Sequence, residues 1–215
     1  MVDRVVAFVD GFNLYHALKA TGKNHLKWLD LSALCQRYVR PRSESLSGVQ
    51  YFTAYATWLA GPYRRHQQYV AALEALGVKV VLGHFKKKEV RCKVCGRRFH
   101  TSEEKQTDVN IAVQIVRLAA ENAFDKALVV TADSDIAPAI AAMREMFPTK
   151  SADILTPPGS GRVTDLLEAA HGPNWKRVPR LRMKENHVAE CLLPEIVSGG
   201  ESRGTIHRPH EYDPP

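Results

Sequence analysis

Short apolar runs recur along the chain, separated by stretches whose apolar positions fall three and four residues apart. The runs Val5-Val6-Ala7-Phe8-Val9 and Ala127-Leu128-Val129-Val130 are continuous and rich in β-branched residues, which predicts strands buried on both faces. Segments 49–56, 78–85 and 151–156 read as three further strands. Between them, 26–40 places Leu31, Leu34, Cys35, Tyr38 and Val39 at helical spacing behind an Asp30 cap. Segment 63–76 does the same with Tyr69, Val70, Leu73 and Leu76. Helices are also predicted from Leu14, with Asn13 as a cap, and over 106–122, 136–147 (Pro138 in its first turn) and 163–170. Strands alternating with helices predict an α/β fold: a three-layer α/β/α sandwich around a mainly parallel sheet of about five strands, joined by right-handed crossovers.

Three segments break the alternation. Residues 86–100 interrupt it with Lys86-Lys87-Lys88, Arg97 and Arg98 around Cys92-Lys93-Val94-Cys95-Gly96. Two thiols at this spacing with a glycine at the turn suit half of a structural Zn²⁺ site, for which His84 and His100 are the candidate remaining ligands. The simpler account is a basic loop with two free thiols. Thr101-Ser102-Glu103-Glu104 then resembles a capping box opening a helix, which would set Glu104 and Asp108 on one helix face. Beyond the core domain, taken as 1–172 with the 86–100 insertion, 173–197 reads as an extension with a short helix near 185–193. Residues 198–215, dominated by Gly, Ser, Pro, His and charge, read as a disordered tail.

Composition narrows the class. With 215 residues the chain suits one substantial core rather than two domains. A hydrophobic fraction of 45 % is ordinary, no apolar run is long enough to span a bilayer, and the first ten residues lack signal-peptide features, so a cytoplasmic protein without membrane association is expected. Four cysteines do not make a disulfide framework in a chain of this size. The net charge of +7 favours polyanionic partners. Arg64 and Arg65 near the start of a helix oppose its dipole, a local cost that an anion would offset; solvated surface charge is the plainer reading.

Both continuous strands close on acids. Asp10-Gly11-Phe12-Asn13 follows the first, and Ala132-Asp133-Ser134-Asp135 follows the other. Helix capping accounts for one acid at such a junction and for two less well. The C-terminal edge of a parallel sheet is also where ligands gather in open α/β folds. Together with Glu104-Lys105-Gln106-Thr107-Asp108-Val109, these motifs, in this order and over about 5–170, resemble the NYN domain, a branch of the PIN-like metal-dependent ribonucleases, in particular its bacterial LabA-like members. The resemblance implies Asp10, Asn13, Asp108, Asp133 and Asp135 as the catalytic cluster, with Asp10, Asp108 and Asp133 as ligands of Mg²⁺ or Mn²⁺, Ser134 beside them, and Glu104 as a variable addition.

Clustered carboxylates repel one another unless a cation joins them, and oxygen-rich sites suit Mg²⁺ and Mn²⁺. The expected function is therefore a metal-dependent endoribonuclease acting on single-stranded or structured RNA. Arg64, Arg65, Lys86, Lys87, Lys88, Arg97 and Arg98 would hold the backbone and Ser134 the substrate phosphate. Phe12, Tyr15 and Phe99 are candidates to stack on bases, with core packing as the plainer reading for each. The alternative is a non-catalytic RNA-binding regulator that keeps the fold. An aspartyl phosphatase would want Asp-x-Asp after the first strand, where this chain has Asp10-Gly11-Phe12. The sequence sets no oligomeric state and allows a homodimer.

Overall fold

The computed structural model describes residues 2–91, 93–200 and 204–215. Strands β1 (Asp3–Asp10), β2 (Glu44–Thr53), β3 (Lys79–Leu82), β6 (Lys126–Val130), β7 (Ser151–Thr156) and β8 (Leu181–Arg182) form one sheet in the order β3-β2-β1-β6-β7-β8. Every pairing in it is parallel. The α/β sandwich is thus as expected, with one strand more: β8 is two residues long, too short to leave a periodic signal.

Alternation along β1 builds both cores. Val5, Ala7 and Val9 pack on one face with Leu14 and Leu18 of α1 (Gly11–Ala20), Leu31 and Leu34 of α2 (Leu31–Gln36), and Val70 and Leu73 of α3 (Ala60–Ala75). Val6 and Phe8 pack on the other with Ile111 and Ile115 of α4 (Thr107–Ala120), Ile140 of α5 (Ala137–Met146) and Leu166 of α6 (Thr164–His171). A strand with period two cannot serve two helical layers unless both of its faces are apolar, which is why this run carries no polar residue between Val5 and Val9.

Three expectations change in the structure. Thr101 to Glu104 does not open a helix: it lies in β5 (Arg98–Lys105), which pairs antiparallel with β4 (His84–Arg91) as a projecting hairpin. The third sheet strand stops at Leu82, and Gly83 turns the chain into that hairpin. The end of the chain is not a disordered tail. Thr205–His207 (β10) pairs with Ile196–Ser198 (β9), and Val197 and Ile206 join the α1–α3 core. The segment before it, including α7 (Glu185–Ala189), adds Val188, Cys191 and Leu193 to the same core, while Trp28 Nε1 donates to the Pro194 carbonyl at 2.8 Å. Among the described residues no helix is long and apolar enough to cross a membrane.

At the opposite edge of the sheet from the acids, Lys126 reaches Glu44 (2.5 Å) and Asp153 (3.1 Å), with all three side chains at most 14 % exposed. Replacing Lys126 with Ala removes the cation shared by two buried carboxylates, leaving Glu44 with Arg40 and Asp153 with His171, and is expected to cost about 2–4 kcal/mol in denaturant unfolding. A loss under about 1 kcal/mol would mean that this ion pair is solvated rather than structural.

Candidate active site

The strand order reverses beside β1: β2 and β3 lie to one side, β6, β7 and β8 to the other. That reversal opens a crevice at the C-terminal ends of β1 and β6, the usual ligand position of such sheets. Asp10 is the last residue of β1, and Asp133 lies three residues beyond the end of β6.

Asp10, 3 % exposed, caps α1 by accepting from Asn13 N at 2.9 Å. The helix therefore begins at Gly11, and Asn13 is not its cap. Asn13 Oδ1 instead accepts from Ala132 N at 3.0 Å, tying the α1 junction to the loop after β6. The other Asp10 oxygen accepts from the Thr131 hydroxyl at 2.9 Å, and that same hydroxyl oxygen accepts from Asp133 N at 3.0 Å. Thr131, fully buried, thus couples the two acids. The sequence reading missed it, although a hydroxyl closing an apolar strand is the signal that would have found it. Asp133 accepts from Asp135 N at 3.0 Å, capping the short turn Ser134–Ile136, on which Ser134 and Asp135 are exposed.

Gly11 is required by contact. A Cβ there would lie 2.5 Å from the Tyr51 ring and 2.6 Å from the Phe52 carbonyl oxygen. This close approach, rather than an unusual backbone angle, explains the glycine after Asp10.

Asp108 arrives on the first turn of α4, and Glu104 from the end of β5. They do not share a helix face. Gln106 between them adopts a left-handed conformation (φ 77°), and Glu104 turns back to accept from the Thr107 amide and hydroxyl. The acids nevertheless act on one another. Asp108 is pushed up to about 6, first by burial and then by the charges of Asp10, Asp133, Glu104 and Asp135. Asp10 is also raised, by burial first, with Asp133 adding to the rise and the hydrogen bonds from Asn13 and Thr131 opposing it.

Among the described residues no group of three or more His, Cys, Asp or Glu side chains is arranged to hold a metal ion. An all-oxygen group of mutually repelling carboxylates still fits Mg²⁺ or Mn²⁺, since Mg²⁺ keeps several waters and needs only one or two protein carboxylates.

The zinc expectation loses a ligand. His84 pairs with Lys105 at the hairpin base, and Arg91 with Arg98 near its tip, so His84 lies roughly 24 Å of strand from the cysteine turn. His84 Nδ1 contacts Gln106 instead, at 2.9 Å. His100 stands opposite Glu89 within the hairpin, Cys95 is exposed with a free thiol, and Cys92 lies outside the described residues.

The basic residues are split between exposed and paired. Lys86, Lys87, Arg97 and Arg64 are exposed. Lys88 pairs with Glu103 at 3.2 Å and Arg98 with Glu89 at 3.0 Å, both as surface pairs that exchange at little cost. Arg65 is held by Glu211 at 2.6 Å, a partner supplied by the end of the chain.

A family model described as the NYN domain matches residues 4–155. The chain belongs to the NYN domain family. Membership implies a PIN-like nuclease domain, and such domains typically use divalent metals. The matched span begins in β1 and ends in β7, so all the NYN acids discussed above fall inside it. The chain is also 27 % identical over 233 residues to the Pseudomonas putida protein named 6-hydroxy-3-succinoylpyridine 3-monooxygenase HspA, covering 91 % of this chain and 72 % of that one. A solved Vibrio parahaemolyticus protein of unknown function shares the fold, with a TM-score of 0.53 at 16 % identity over 89 % of this chain and 97 % of that one.

The raised Asp108 carboxyl sets a pH dependence. The folded state holds this proton more tightly than the unfolded chain between the ordinary carboxylate value of 3.8 and about 6, so Asp108 costs stability increasingly as pH rises through that window. Without added metal, Asp108→Asn is expected to raise the thermal midpoint at pH 7.5, and the gain should vanish toward pH 4. A difference independent of pH would show that Asp108 is not under this repulsion.

Proposed function

We propose that this protein is a metal-dependent endoribonuclease whose reaction centre is the carboxylate group formed by Asp10, Asp108 and Asp133, with Asp135 at its rim. One observation carries the reading: in an NYN domain, four acids from three separate junctions face the switch point, and Asp108 is pushed up to about 6, by burial first and then by the charges of its acidic neighbours. Evolved proteins do not gather uncompensated like charges without a use for them, and a divalent cation is the simplest compensation.

Asp10, Asp108 and Asp133 would hold Mg²⁺ or Mn²⁺, partly through water. When bound, the cation supplies electrostatic stabilisation for phosphodiester hydrolysis by in-line displacement. Asp10 and Asp133 are kept in place by one hydroxyl, that of Thr131. Asn13 fixes the loop carrying Asp133 by accepting from Ala132 N. Ser134 and Asp135 are exposed and would meet a substrate phosphate and its attacking water. The hairpin, whose base lies beside Gly83, where a Cβ would come within 3.1 Å of Glu104 Oε1, presents Lys86 and Lys87 to solvent along β4 and Arg97 near its tip. Those cations would draw in an RNA backbone with an affinity that falls as salt rises.

The Pseudomonas putida relative supports a second reading, ring oxidation of a free pyridine, because its name describes that chemistry. The NYN match spans residues 4–155, whereas that relative shares 27 % identity and its name alone carries the oxidation chemistry. The nuclease reading is therefore preferred.

The test is cleavage of fluorescent single-stranded RNA, duplex RNA and DNA with Mn²⁺ or Mg²⁺. Wild-type protein is expected to cut RNA, and Asp133→Asn to lose at least about 100-fold in rate. Equal rates in the two proteins would end the mechanism. RNA binding without cleavage in either would favour a non-catalytic regulator. Oxygen-dependent consumption of a hydroxypyridine without RNA cleavage would favour the second reading.

A further inference from the structure

Next to the acids lies a cavity of about 390 Å³, within the size range of small-molecule sites. Its wall is a continuous chain of rings drawn from three parts of the fold. Trp58, from the loop after β2, meets Phe85 of the hairpin at 4.8 Å between centroids. Phe85 meets Phe12 of α1 at 5.6 Å, Phe12 meets His16 at 4.9 Å, and His16 meets Tyr15 at 5.5 Å. Trp58 is 46 % exposed and Tyr15 39 %. Contiguous aromatic surface left open to solvent marks a binding site more often than a packing fault.

The cavity lining starts at the residue after Asp10 and does not include Asp10, Asp108, Asp133 or Asp135 themselves. Gly11 and Phe12, which line it, follow Asp10 in the chain, and the Asp10 charge acts on the phenol of Tyr51 in the cavity wall. The lining also carries Lys19, Lys27 and Arg65, with one acid, Glu211. Lys27 lies over the Tyr15 ring at 5.2 Å. Its ammonium is pushed below the ordinary lysine value, first by burial and then by the charges of Lys19 and Arg65. The Nε of Arg65 is buried without a hydrogen-bond partner, while its Nη1 is held by Glu211. The site therefore offers ring faces beside two lysines, Lys19 and Lys27, while Arg65 is balanced by Glu211: the complement of a planar ring that carries an anion.

We propose that this cavity is a nucleobase subsite, which stacks one unpaired base of an RNA strand against Phe12, Phe85, Trp58 and Tyr15 while Lys19 and Lys27 attract its phosphate. The proposal rests on the nuclease reading for the identity of the strand, and names what that reading leaves open: the site holds a base as well as a backbone. Because a base must be out of its stack to enter, the enzyme would prefer single-stranded RNA. The basic hairpin acquires a second use, since Phe85 and Ser102 on its two strands form part of the cavity wall.

A free N-heteroaromatic acid shares the ring-plus-anion chemistry, and the experiment separates it from a base. Anisotropy of a labelled five-nucleotide RNA and of an abasic ribose-phosphate oligomer of equal length is measured in Mg²⁺ on full-length Asp133→Asn protein, so that turnover does not enter. The same background carries Trp58→Ala, Trp58→Phe and, on a different element, Tyr15→Ala, each checked for an unchanged thermal midpoint. The RNA is expected to bind at least about 10-fold tighter than the abasic oligomer. Trp58→Ala and Tyr15→Ala should remove most of that difference with the salt dependence unchanged, and Trp58→Phe should keep it. Equal affinity for RNA and the abasic oligomer, or a difference that survives both alanine variants, overturns the proposal. Nicotinate that displaces no RNA but quenches Trp58 fluorescence assigns the cavity to a free small molecule and overturns it too. Failure of wild-type cleavage alone would sink the nuclease reading and leave the base discrimination standing as measured.

Discussion

The hydroxyl of Thr131 joins the ends of the two central strands, and the acidic site depends on that join. It donates to Asp10 and accepts from the amide of Asp133, so the last residue of β1 and the loop after β6 cannot move independently. Asn13 makes a second tie between the same two junctions through Ala132. Like-charged carboxylates left on flexible loops would swing apart. Here the ties hold them in place, and burial first, with the neighbouring charges adding to it, raises the proton affinity of Asp10 and Asp108.

What the sequence made legible follows from the period of the structure carrying it. Asp10 and Asp133 end long apolar runs, and a strand buried on both faces announces itself without alternation. Asp108 was found for a partly wrong reason. Thr101 to Glu104 has the spacing of a capping box, yet pairing with β4 holds it extended, and Glu104 caps α4 from the end of a strand. The left-handed Gln106 that permits this has no sequence signature, because the conformation is common only for Gly and Asn. The polar end of the chain looked disordered because its apolar anchors, Val197 and Ile206, are single residues whose burial depends on a surface made elsewhere. The ring chain was equally hidden: Trp58, Phe85 and Phe12 are far apart in sequence, and nothing local links them.

The end of the chain also changes how the basic residues are read. Arg65 was expected to face solvent at a helix start, ready for phosphate. Glu211 takes it, and the Tyr212 side chain closes the cavity behind it. The far wall of the aromatic cavity is thus built from residues outside the NYN match, which ends at residue 155. The acids, the cations Lys19, Lys27 and Arg65 and the rings of Phe12, Tyr15, Trp58 and Phe85 all fall within the matched span, and the extension adds Glu211 and Tyr212 to the cavity wall.

The central claim is that the carboxylates of Asp10, Asp108 and Asp133 exist to hold a divalent cation used in RNA cleavage. Mn²⁺ titration followed by electron paramagnetic resonance, with the initial rate of RNA cleavage read on the same samples, tests it most directly. The account predicts one Mn²⁺ per chain, a cleavage rate that rises in step with occupancy, and loss of both in Asp10→Asn. Full-rate cleavage in excess EDTA, or Mn²⁺ binding unchanged by Asp10→Asn, would contradict it.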